Sequence, residues 1–544
     1  MTTTVSTRDR EKARERGRES PCVLTLDRRS APRIIQSGED FLRVKMPEGT
    51  RVIYPPEPLA PVPNAEAAIR HALNHPEGCE PLHAKLRPGM KVTIAVDDLS
   101  LPLPPMRAPD VRQQVLEVVL QMLAQHGVDD VEVIIAVALH RHMTADEIRH
   151  AVGPKVFREL YPKRLYNHDA EDPKGMKKIG EGAHGEPVII NRRAAESDLL
   201  IYVNLNLVPM DGGHKSVGVG LTNYEGLKPH HNPDMMLECW SYMDPAKSGM
   251  HRSCERIGRV VNQALDVFHI ETTINNHMYG DALGFLAKRE EDFSTYDEWA
   301  FWGIQRALER LPRAAKRAFF HAYRAPFGLT GVTAGKTDPV HAKTLERCFK
   351  QYAIPVRGQC DVLVSGVPYL SPYNVNSILN PLLVQVMANG YWFNMYRGVP
   401  IIRQGGVQII CHPLYDDFHP QHHPSYIEFF HRLLPETHDS RRLRHHHEEA
   451  FARDPAYIHL YRNEYAYHGA HPFYMWYWGE QGRKHIGKTI VVGCESPRAA
   501  EILGWETAES VDDALAMAAS HLGKPSPEVT LMHWPPLFIT DVTA

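Results

Sequence analysis

Apolar and polar positions along the chain form blocks that predict strands and helices in alternation. Residues 91–98 are a short apolar run ending in two carboxylates, which predicts a buried strand. Residues 111–127 carry apolar side chains at helical spacing and end in glycine, which predicts a helix. Residues 131–140 predict the next strand, and Thr144 with Glu147 forms the pattern of a helix capping box. Strand, helix, strand and helix in this order predict a parallel sheet.

The same patterns continue through the rest of the chain. Two further strands are predicted at 187–192 and 198–208, and a glycine-rich turn follows at 212–220. In the C-terminal half, Ser371 and Pro372 are suited to the cap and first turn of a helix. Further strands and helices alternate there, and they are predicted within 327–354, 361–390, 406–413, 489–496, 511–523 and 528–534.

The length of the chain and the order of its elements predict two α/β domains with mostly parallel sheets and a cleft between them. A chain of 544 residues is too long for one compact core. The predicted division is a disordered tail at 1–20, an N-terminal α/β domain at 21–270 and a C-terminal α/β domain at 271–544. A segment rich in aromatic and charged residues, 279–324, is predicted to be a helical insertion in the second domain.

Composition narrows the class of protein. A formal net charge of -4 without blocks of like charge does not indicate nucleic-acid binding. No apolar run approaches the ~20 residues that span a bilayer, so no membrane association is expected. The eight cysteines lie far apart and form no CxxC pair, which favours a reducing compartment, and we expect a cytoplasmic protein. Among the 32 histidines, the clusters at 419–424 and 445–447 have no regular ligand spacing and are interpreted as solvated loops.

Polar residues follow three of the predicted strands, where ligands bind in open α/β sheets. Asp97 and Asp98 end one strand, His140 ends another, and Lys215 lies in the glycine-rich turn after a third. Histidine suits proton transfer near neutral pH, and a lysine in such a turn can meet a phosphate or a carbonyl group. Each residue also has a structural interpretation, as a turn cap, a core histidine or a solvated charge. Their joint placement at strand ends favours a functional site.

Several longer motifs resemble the nickel-dependent lactate racemase family, and they occur in that family's order. They are DDLSLPLPP, ALHRHMTADEI, NHDA, GGHKSVGVGLTNYEGLKPHHN, GVTAGKTDPVHA and LVSGVPYLSPYNVN. The C-terminal stretch IVVGCESPRAAEILGWETAESVDDALAMAASHLG also looks like the family's final domain. The resemblance covers 91–534 apart from the segment 279–324, and it identifies the chain as a divergent member.

The resemblance implies a nickel pincer nucleotide, which is nickel pyridinium-3,5-bisthiocarboxylic acid mononucleotide. Soft sulfur, carbon and imidazole ligands in a plane suit nickel. In the family, hydride moves from the substrate's hydroxyl-bearing carbon to this cofactor while a histidine takes the hydroxyl proton. The residues of this chain that match the family's site are Asp98, Gly212, Gly213 and Lys215 for the cofactor, His231 for the metal, and His140 for acid/base catalysis.

Three positions depart from the family pattern. Leu101 stands where the family usually has an arginine that binds the substrate carboxylate. A second acid/base histidine is expected before the glycine-rich turn and is missing, with His214 and His230 as possible substitutes. The family's glutamine and lysine pair in the second domain is also replaced. Asn376 is the predicted catalytic stand-in for the glutamine, and no lysine is present there.

We therefore expect a cytoplasmic isomerase, a racemase or epimerase of a 2-hydroxy acid or a related hydroxy compound. The expected partners are the small-molecule substrate and the proteins that synthesise the cofactor. Two alternatives remain open. One is another redox or isomerising enzyme with the same cofactor, and the other is a catalytically degenerate protein that binds metal or nucleotide.

Overall fold

The computed structural model describes residues 20–543, so nearly all of the predicted tail at 1–20 lies outside the described residues. The fold is mixed α/β, with two large sheets whose strands are mostly parallel. Parallel strands are buried on both faces by helices, which is why their sequences are almost continuously apolar. The fold class predicted from the alternating pattern is confirmed, whereas a cleft between two domains stays a prediction.

The first large sheet has six strands and carries the carboxylates and histidine singled out above. Its first strand in spatial order is antiparallel to its neighbour, and the other pairs are parallel. In spatial order the strands are Leu329–Gly335, Val267–Ile274, Leu199–Asn206, Lys91–Asp97, Asp130–Ala136 and Leu165–Asn167.

The second large sheet has seven strands and is built mainly from the C-terminal half. Only its first pair is antiparallel. In spatial order the strands are Val23–Thr25, Arg51–Ile53, Val529–Met532, Cys360–Gly366, Ile402–Cys411, Lys488–Val492 and Glu506–Ala508. The smaller sheets consist of Ala353–Arg357, Ile539–Thr543 and Tyr396–Arg397, of Arg33–Ser37 with Asp40–Val44, and of Met176–Glu181 with Pro187–Asn191.

The two large sheets do not divide at residue 270, where the sequence places the domain boundary. That residue lies inside the strand Val267–Ile274, and Leu329–Gly335 from the second half also joins the six-stranded sheet. Conversely, Val23–Thr25 and Arg51–Ile53 pair into the seven-stranded sheet. Pairing between residues so distant in sequence leaves no local pattern, so a single cut in the chain does not separate the sheets.

Helices pack on both sheets and supply most of the remaining structure. The α-helices are Ala65–Asn74, Leu82–Lys85, Val111–Gln125, Ala145–Val152, Pro154–Leu160, Arg192–Ala195, Lys215–Gly220, Tyr224–Leu227, Pro233–Leu237, Gly249–Ala264, Thr295–Arg310, Arg313–Ala322, Thr337–Tyr352, Pro381–Gln385, Pro424–Glu428, Ser440–Leu443, Glu449–Ala452, Pro455–Asn463, His471–Trp478, Glu480–His485, Pro497–Leu503 and Val511–Leu522. The 3-10 helices are Pro245–Lys247, Asp281–Ala287 and Glu290–Asp292, and the π-helices are Val386–Trp392, Phe429–Leu433 and Arg444–Glu448. Within residues 20–543, no helix has both the length and the hydropathy to cross a bilayer.

Three local predictions change in the structure. The strand predicted at 131–140 ends at Ala136, because the buried residues that follow it form a turn. The glycine-rich segment 212–220 is a turn only at its start, and from Lys215 it is a short helix. The helix predicted to begin at Ser371 begins at Pro381 and is capped by the Asn380 side chain. By contrast, the capping box of Thr144 and Glu147 is formed as predicted.

Candidate active site

A cavity of about 170 Å³ lies beyond the carboxyl ends of three strands of the six-stranded sheet. These strands are Lys91–Asp97, Asp130–Ala136 and Leu199–Asn206. The C-terminal half supplies the facing wall, through Tyr373 and the helix His471–Trp478. This is the position where parallel α/β sheets bind ligands. Five of the residues singled out in the sequence line this cavity, and they are Asp98, His140, Gly212, Lys215 and His231.

His140 and Asp98 form a hydrogen-bonded pair at the edge of the cavity. His140 Nδ1 lies 2.7 Å from Asp98 Oδ2, while Asp98 Oδ1 accepts bonds from the Ser100 backbone and hydroxyl at 3.0 and 2.6 Å. Burial raises the pKa of Asp98, but His140 and the Ser100 bonds outweigh it and hold the pKa below its usual value. The ionised carboxylate therefore orients His140 as a donor at Nδ1 and leaves Nε2 for proton transfer.

A tight turn after the strand Asp130–Ala136 gives His140 this position. The His140 backbone N–H donates to Val137 O at 2.7 Å, and Ala138 has a φ of +48°. The apolar side chains of the turn are buried, so the chain reverses without exposing them. The His140 side chain stays 26% exposed, enough for contact with a ligand in the cavity.

His231 is a neutral imidazole with one ring nitrogen free. Its Nδ1 lies 2.8 Å from His230 Nδ1, and no hydrogen bond to its Nε2 is formed within residues 20–543. Burial, together with His230 and Lys215, holds the pKa of His231 well below its usual value. A neutral imidazole with a free ring nitrogen is the form that binds metal ions.

Lys215 begins the short helix Lys215–Gly220 and is weakly held. Its Nζ donates to Met210 O at 3.3 Å. Of the described residues that line the cavity, it is the only lysine or arginine, whereas Asp97, Asp98 and Asp211 contribute carboxyl groups. Burial raises the pKa of Asp211, and Lys215 partly offsets this. The amine therefore has few competing partners.

Asp97 lies beneath the cavity floor and is nearly enclosed by hydrogen-bond donors. It accepts from the Leu205 backbone at 2.8 Å and from Asn204 Nδ2 at 3.1 Å. Burial raises the pKa of Asp97 to about 7 despite these bonds. The pKa values of the adjacent Asp97 and Asp98 carboxyl groups are thus shifted in opposite directions, because only Asp98 has a histidine partner.

Gly212 and Gly213, in the turn before Lys215, have different structural roles. Gly212 lines the cavity, and Gly213 donates its backbone N–H to Glu271 Oε1 at 2.6 Å. Both have positive φ, +79° and +63°, which glycine adopts at little cost. A Cβ on Gly213 would lie 2.8 Å from the His341 ring. Gly213 thus holds the turn that presents Lys215.

Gly213→Ala is expected to lower the free energy of unfolding by about 1–3 kcal/mol, because a left-handed backbone and a close ring contact both penalise the methyl group. Gly303→Ala is the matched control. Gly303 lies inside the helix Thr295–Arg310 with open space around it, so alanine should stabilise it by roughly 0.5–1 kcal/mol. Urea unfolding of both variants measures the difference, and equal midpoints would contradict the role assigned to Gly213.

Asn376, the predicted catalytic stand-in for a glutamine, is not among the residues that line this cavity. It lines a smaller neighbouring cavity, and its Nδ2 donates to Glu147 Oε1 at 2.7 Å. Glu147 is also paired with the buried Arg141. The structure thus places Asn376 beside this ion pair and outside the main cavity, and its catalytic role stays a prediction.

Neither predicted substitute for the missing histidine reaches the cavity. His214 Nε2 lies 2.7 Å from Asp338 Oδ1 and its ring packs against Gly258. His230 is fully buried behind His231. His214 and His230 are the chain neighbours of Lys215 and His231. Because Lys215 and His231 line the cavity, the neighbouring side chains lie away from it.

His471 is the histidine that sequence reasoning missed. It lines the cavity at the start of the helix His471–Trp478, with its ring centroid 5.3 Å from that of His140. The Tyr426 hydroxyl lies 2.5 Å from its Nδ1. Burial, and then His140, hold the pKa of His471 well below its usual value. The available signal was the pair His471–Pro472 at the head of an aromatic run, far from the other motifs.

Aromatic side chains complete the wall around the histidines. Tyr474 and Trp478 lie against His231, with ring centroids 5.7 and 6.0 Å away. Tyr373 lies against His140, and its hydroxyl is 3.2 Å from that of Tyr391. The cavity thus combines a few polar groups with a largely apolar enclosure, as small-molecule sites do.

Histidine clusters elsewhere do not form a second metal centre in the described part of the chain, where no three His, Cys, Asp or Glu side chains are grouped to hold an ion. Residues 445–447 are largely solvated as predicted, but they belong to the π-helix Arg444–Glu448 and not to a loop. The cluster at 419–424 differs, because His422 and His423 are buried. His423 stacks on Tyr467 beside the cavity wall.

The fold and the cavity define an α/β protein with a ligand site at the carboxyl ends of parallel strands. Residues 37–242 match the family model described as the lactate racemase N-terminal domain. Lactate racemase from Lactiplantibacillus plantarum is 24% identical over 176 residues, which are 31% of this chain and 39% of that protein. The chain's match thus spans well under half of this curated relative. Residues 37–242 are thus similar to the N-terminal domain of lactate racemases.

Two solved structures resemble the fold over most of the chain. The lactate racemase apoprotein from Thermoanaerobacterium thermosaccharolyticum has a TM-score of 0.59 at 17% identity, covering 94% of this chain and 100% of that one. A protein from Thermotoga maritima has a TM-score of 0.52 at 13% identity, covering 90% and 100%. At such identities the likeness concerns the fold alone.

Proposed function

We propose that this protein is a racemase or epimerase of a hydroxy compound that uses a nickel pincer nucleotide. The observation that carries the proposal is the convergence of Lys215, His231 and the His140–Asp98 pair on one cavity. The similarity of residues 37–242 to the lactate racemase N-terminal domain supports the reaction type. The substrate and the cofactor are part of the proposal.

The donor set of the cavity fits this cofactor. Lys215 would form the covalent attachment, and the neutral His231 would supply one imidazole ligand through Nε2. Because no group of three metal-ligating side chains occurs within residues 20–543, the metal's other ligands would come from the bound group itself. Tyr474 and Trp478 would enclose it, and exclusion of water strengthens electrostatic interactions in such a site.

The chain's own contribution is proton transfer and orientation. When bound, the cofactor supplies a hydride acceptor. His140 Nε2 accepts the substrate's hydroxyl proton, and the Asp98 carboxylate stabilises the resulting imidazolium through Nδ1. His471 is held from the opposite side by Tyr426 and serves as the second acid/base group. Two histidines with separate supports are what a reaction on both faces of one carbon requires.

A second candidate function is another redox or isomerising reaction with the same cofactor. Leu101 and the single cationic side chain favour it, because a small hydroxy-carboxylate usually needs a bidentate arginine. A catalytically degenerate binding protein is the third candidate. It differs from the first two in predicting no turnover of any hydroxy compound.

The experiment is a chiral assay on protein produced together with the cofactor-synthesis proteins. Single enantiomers of 2-hydroxy acids are supplied without added oxidant, and formation of the opposite enantiomer supports a racemase. Release of at most one keto acid per bound cofactor without racemisation, made continuous by adding an electron acceptor, would favour the second candidate. Absence of turnover with full nickel content would favour the third.

His471→Gln is expected to lower kcat/KM for racemisation about 10²-fold or more in both directions, because one face loses its acid/base group. Nickel content should stay at the wild-type level. His184→Gln, at an exposed histidine outside the cavity, is the control. Unchanged kcat/KM in His471→Gln would remove this residue from the mechanism.

A further inference from the structure

A second and larger cavity, of about 380 Å³, lies beside the candidate active site and is almost wholly apolar. We name it the apolar chamber. Its lining includes Phe41, Met278, Leu308, Phe320, Met387 and Trp534. An apolar cavity of about 150 Å³ already takes up benzene, so this volume has room for a much larger apolar group.

The apolar chamber adjoins the candidate active site, and the two cavities share four lining residues. Leu101, Val208, Pro372 and Tyr391 line both cavities. Leu101 is also the position at which the family resemblance predicts an arginine. A leucine there replaces a carboxylate-binding group with a wall that both cavities share.

The few charged residues of the apolar chamber are already paired. Lys316 Nζ contacts Asp40, and Glu39 accepts a hydrogen bond from Arg317 at 2.7 Å. The polar atoms of the lining residues Tyr279, Trp392 and Trp534 that have no hydrogen-bond partner within residues 20–543 are themselves buried, so almost no polar surface faces the apolar chamber. Burying a hydroxyl group without a hydrogen-bond partner is unfavourable, so the apolar chamber suits hydrocarbon better than a polyol.

One side of the apolar chamber is formed by the helical insertion 279–324. Residues from the 3-10 helix Asp281–Ala287 and from the helices Thr295–Arg310 and Arg313–Ala322 line it. Ala307 and Leu311 are exposed at these positions, which places the opening toward solvent on the insertion. The insertion lies outside residues 37–242, which match the family model.

We propose that the substrate is a hydroxy compound with a long or bulky apolar substituent, such as a medium-chain alkyl group, which the apolar chamber binds. This inference rests on the proposed function for the reacting end of the substrate. The hydroxyl-bearing carbon lies among His140, His471 and Lys215, and the substituent extends past Leu101 and Tyr391 into the apolar chamber.

Titration calorimetry on the full chain tests this inference with racemic lactate, 2-hydroxyhexanoate and 2-hydroxyoctanoate as probes. Racemic acids are used so that turnover does not change the composition. Affinity is expected to rise by about fourfold per added methylene group, the transfer free energy of a buried CH2. Binding of the octanoate should also show a negative heat-capacity change.

Ala307→Trp should weaken 2-hydroxyoctanoate binding at least about tenfold, because an indole ring would take up space inside the opening. Ala314→Trp is the matched control. Ala314 is an exposed alanine of the same insertion that does not line the apolar chamber, so binding there should equal wild type.

The outcomes separate this inference from the proposed function. Affinity that does not change with chain length, or equal effects of the two variants, would overturn the inference. Length-dependent binding without racemisation by nickel-loaded protein would support an apolar substituent on the ligand and contradict the proposed racemase function. Racemisation of lactate with no gain for longer acids would keep the racemase and reject the apolar substituent.

Discussion

His140→Ala is expected to abolish most turnover while leaving the bound metal in place. A positioned general base contributes typically 10²–10⁴-fold, so kcat should fall by about that factor. The side chain belongs to the pair with Asp98, 2.7 Å away, and not to the set formed by Lys215 and His231. Nickel content by mass spectrometry and kcat by chiral chromatography, measured on the same preparation, give both readouts.

Asp98→Asn and His184→Ala make this first experiment specific. Asparagine keeps the shape of Asp98 but does not stabilise a protonated His140, so kcat should again fall with nickel retained. His184 is an exposed histidine outside the cavity, and its variant should match wild type. Wild-type kcat in His140→Ala would contradict proton transfer at this residue, and loss of nickel would instead assign it to cofactor binding.

Lys215→Ala is expected to remove the covalent adduct and most of the nickel. The Lys215 amine has one weak partner at 3.3 Å, so alanine breaks no strong structural contact. Intact mass should drop to that of the unmodified chain. Lys228→Ala is the matched control, since Lys228 lies on the following segment and pairs with Glu225 at 2.8 Å. An adduct retained in Lys215→Ala would refute attachment at this residue.

The sequence predicts the parts of the fold whose cause is local. The strand Lys91–Asp97 and the helix Ala145–Val152 appear as predicted, because buried parallel strands read as apolar runs and a capping box is a short-range signal. The pattern wrongly predicts a strand across the apolar turn 137–139, since the side chains of this turn are as buried as those of a strand. The exchange of Arg51–Ile53 and Leu329–Gly335 between the sheets depends on long-range pairing.

The candidate site also has residues that local motifs predict and a residue that only tertiary packing brings in. Asp98, His140, Lys215 and His231 belong to motifs in the first half of the chain, and they line one cavity. His471 enters through tertiary packing from the other half, so no spacing relates it to them. The resemblance to the family also points to Asn376, which contacts Glu147 outside this cavity. Sequence motifs thus locate the part of the cavity that the first half of the chain lines better than the part that the second half lines.

The central claim is that Lys215 and His231 together hold a metal-bearing nucleotide in this cavity. The most direct test is metal analysis joined to intact mass on wild-type protein produced with the cofactor-synthesis proteins, beside a lactate racemase treated identically. Attachment of the cofactor at Lys215 predicts about one nickel per chain and a mass increase from the attached cofactor. An unmodified mass with no nickel, while the lactate racemase is loaded, would contradict it.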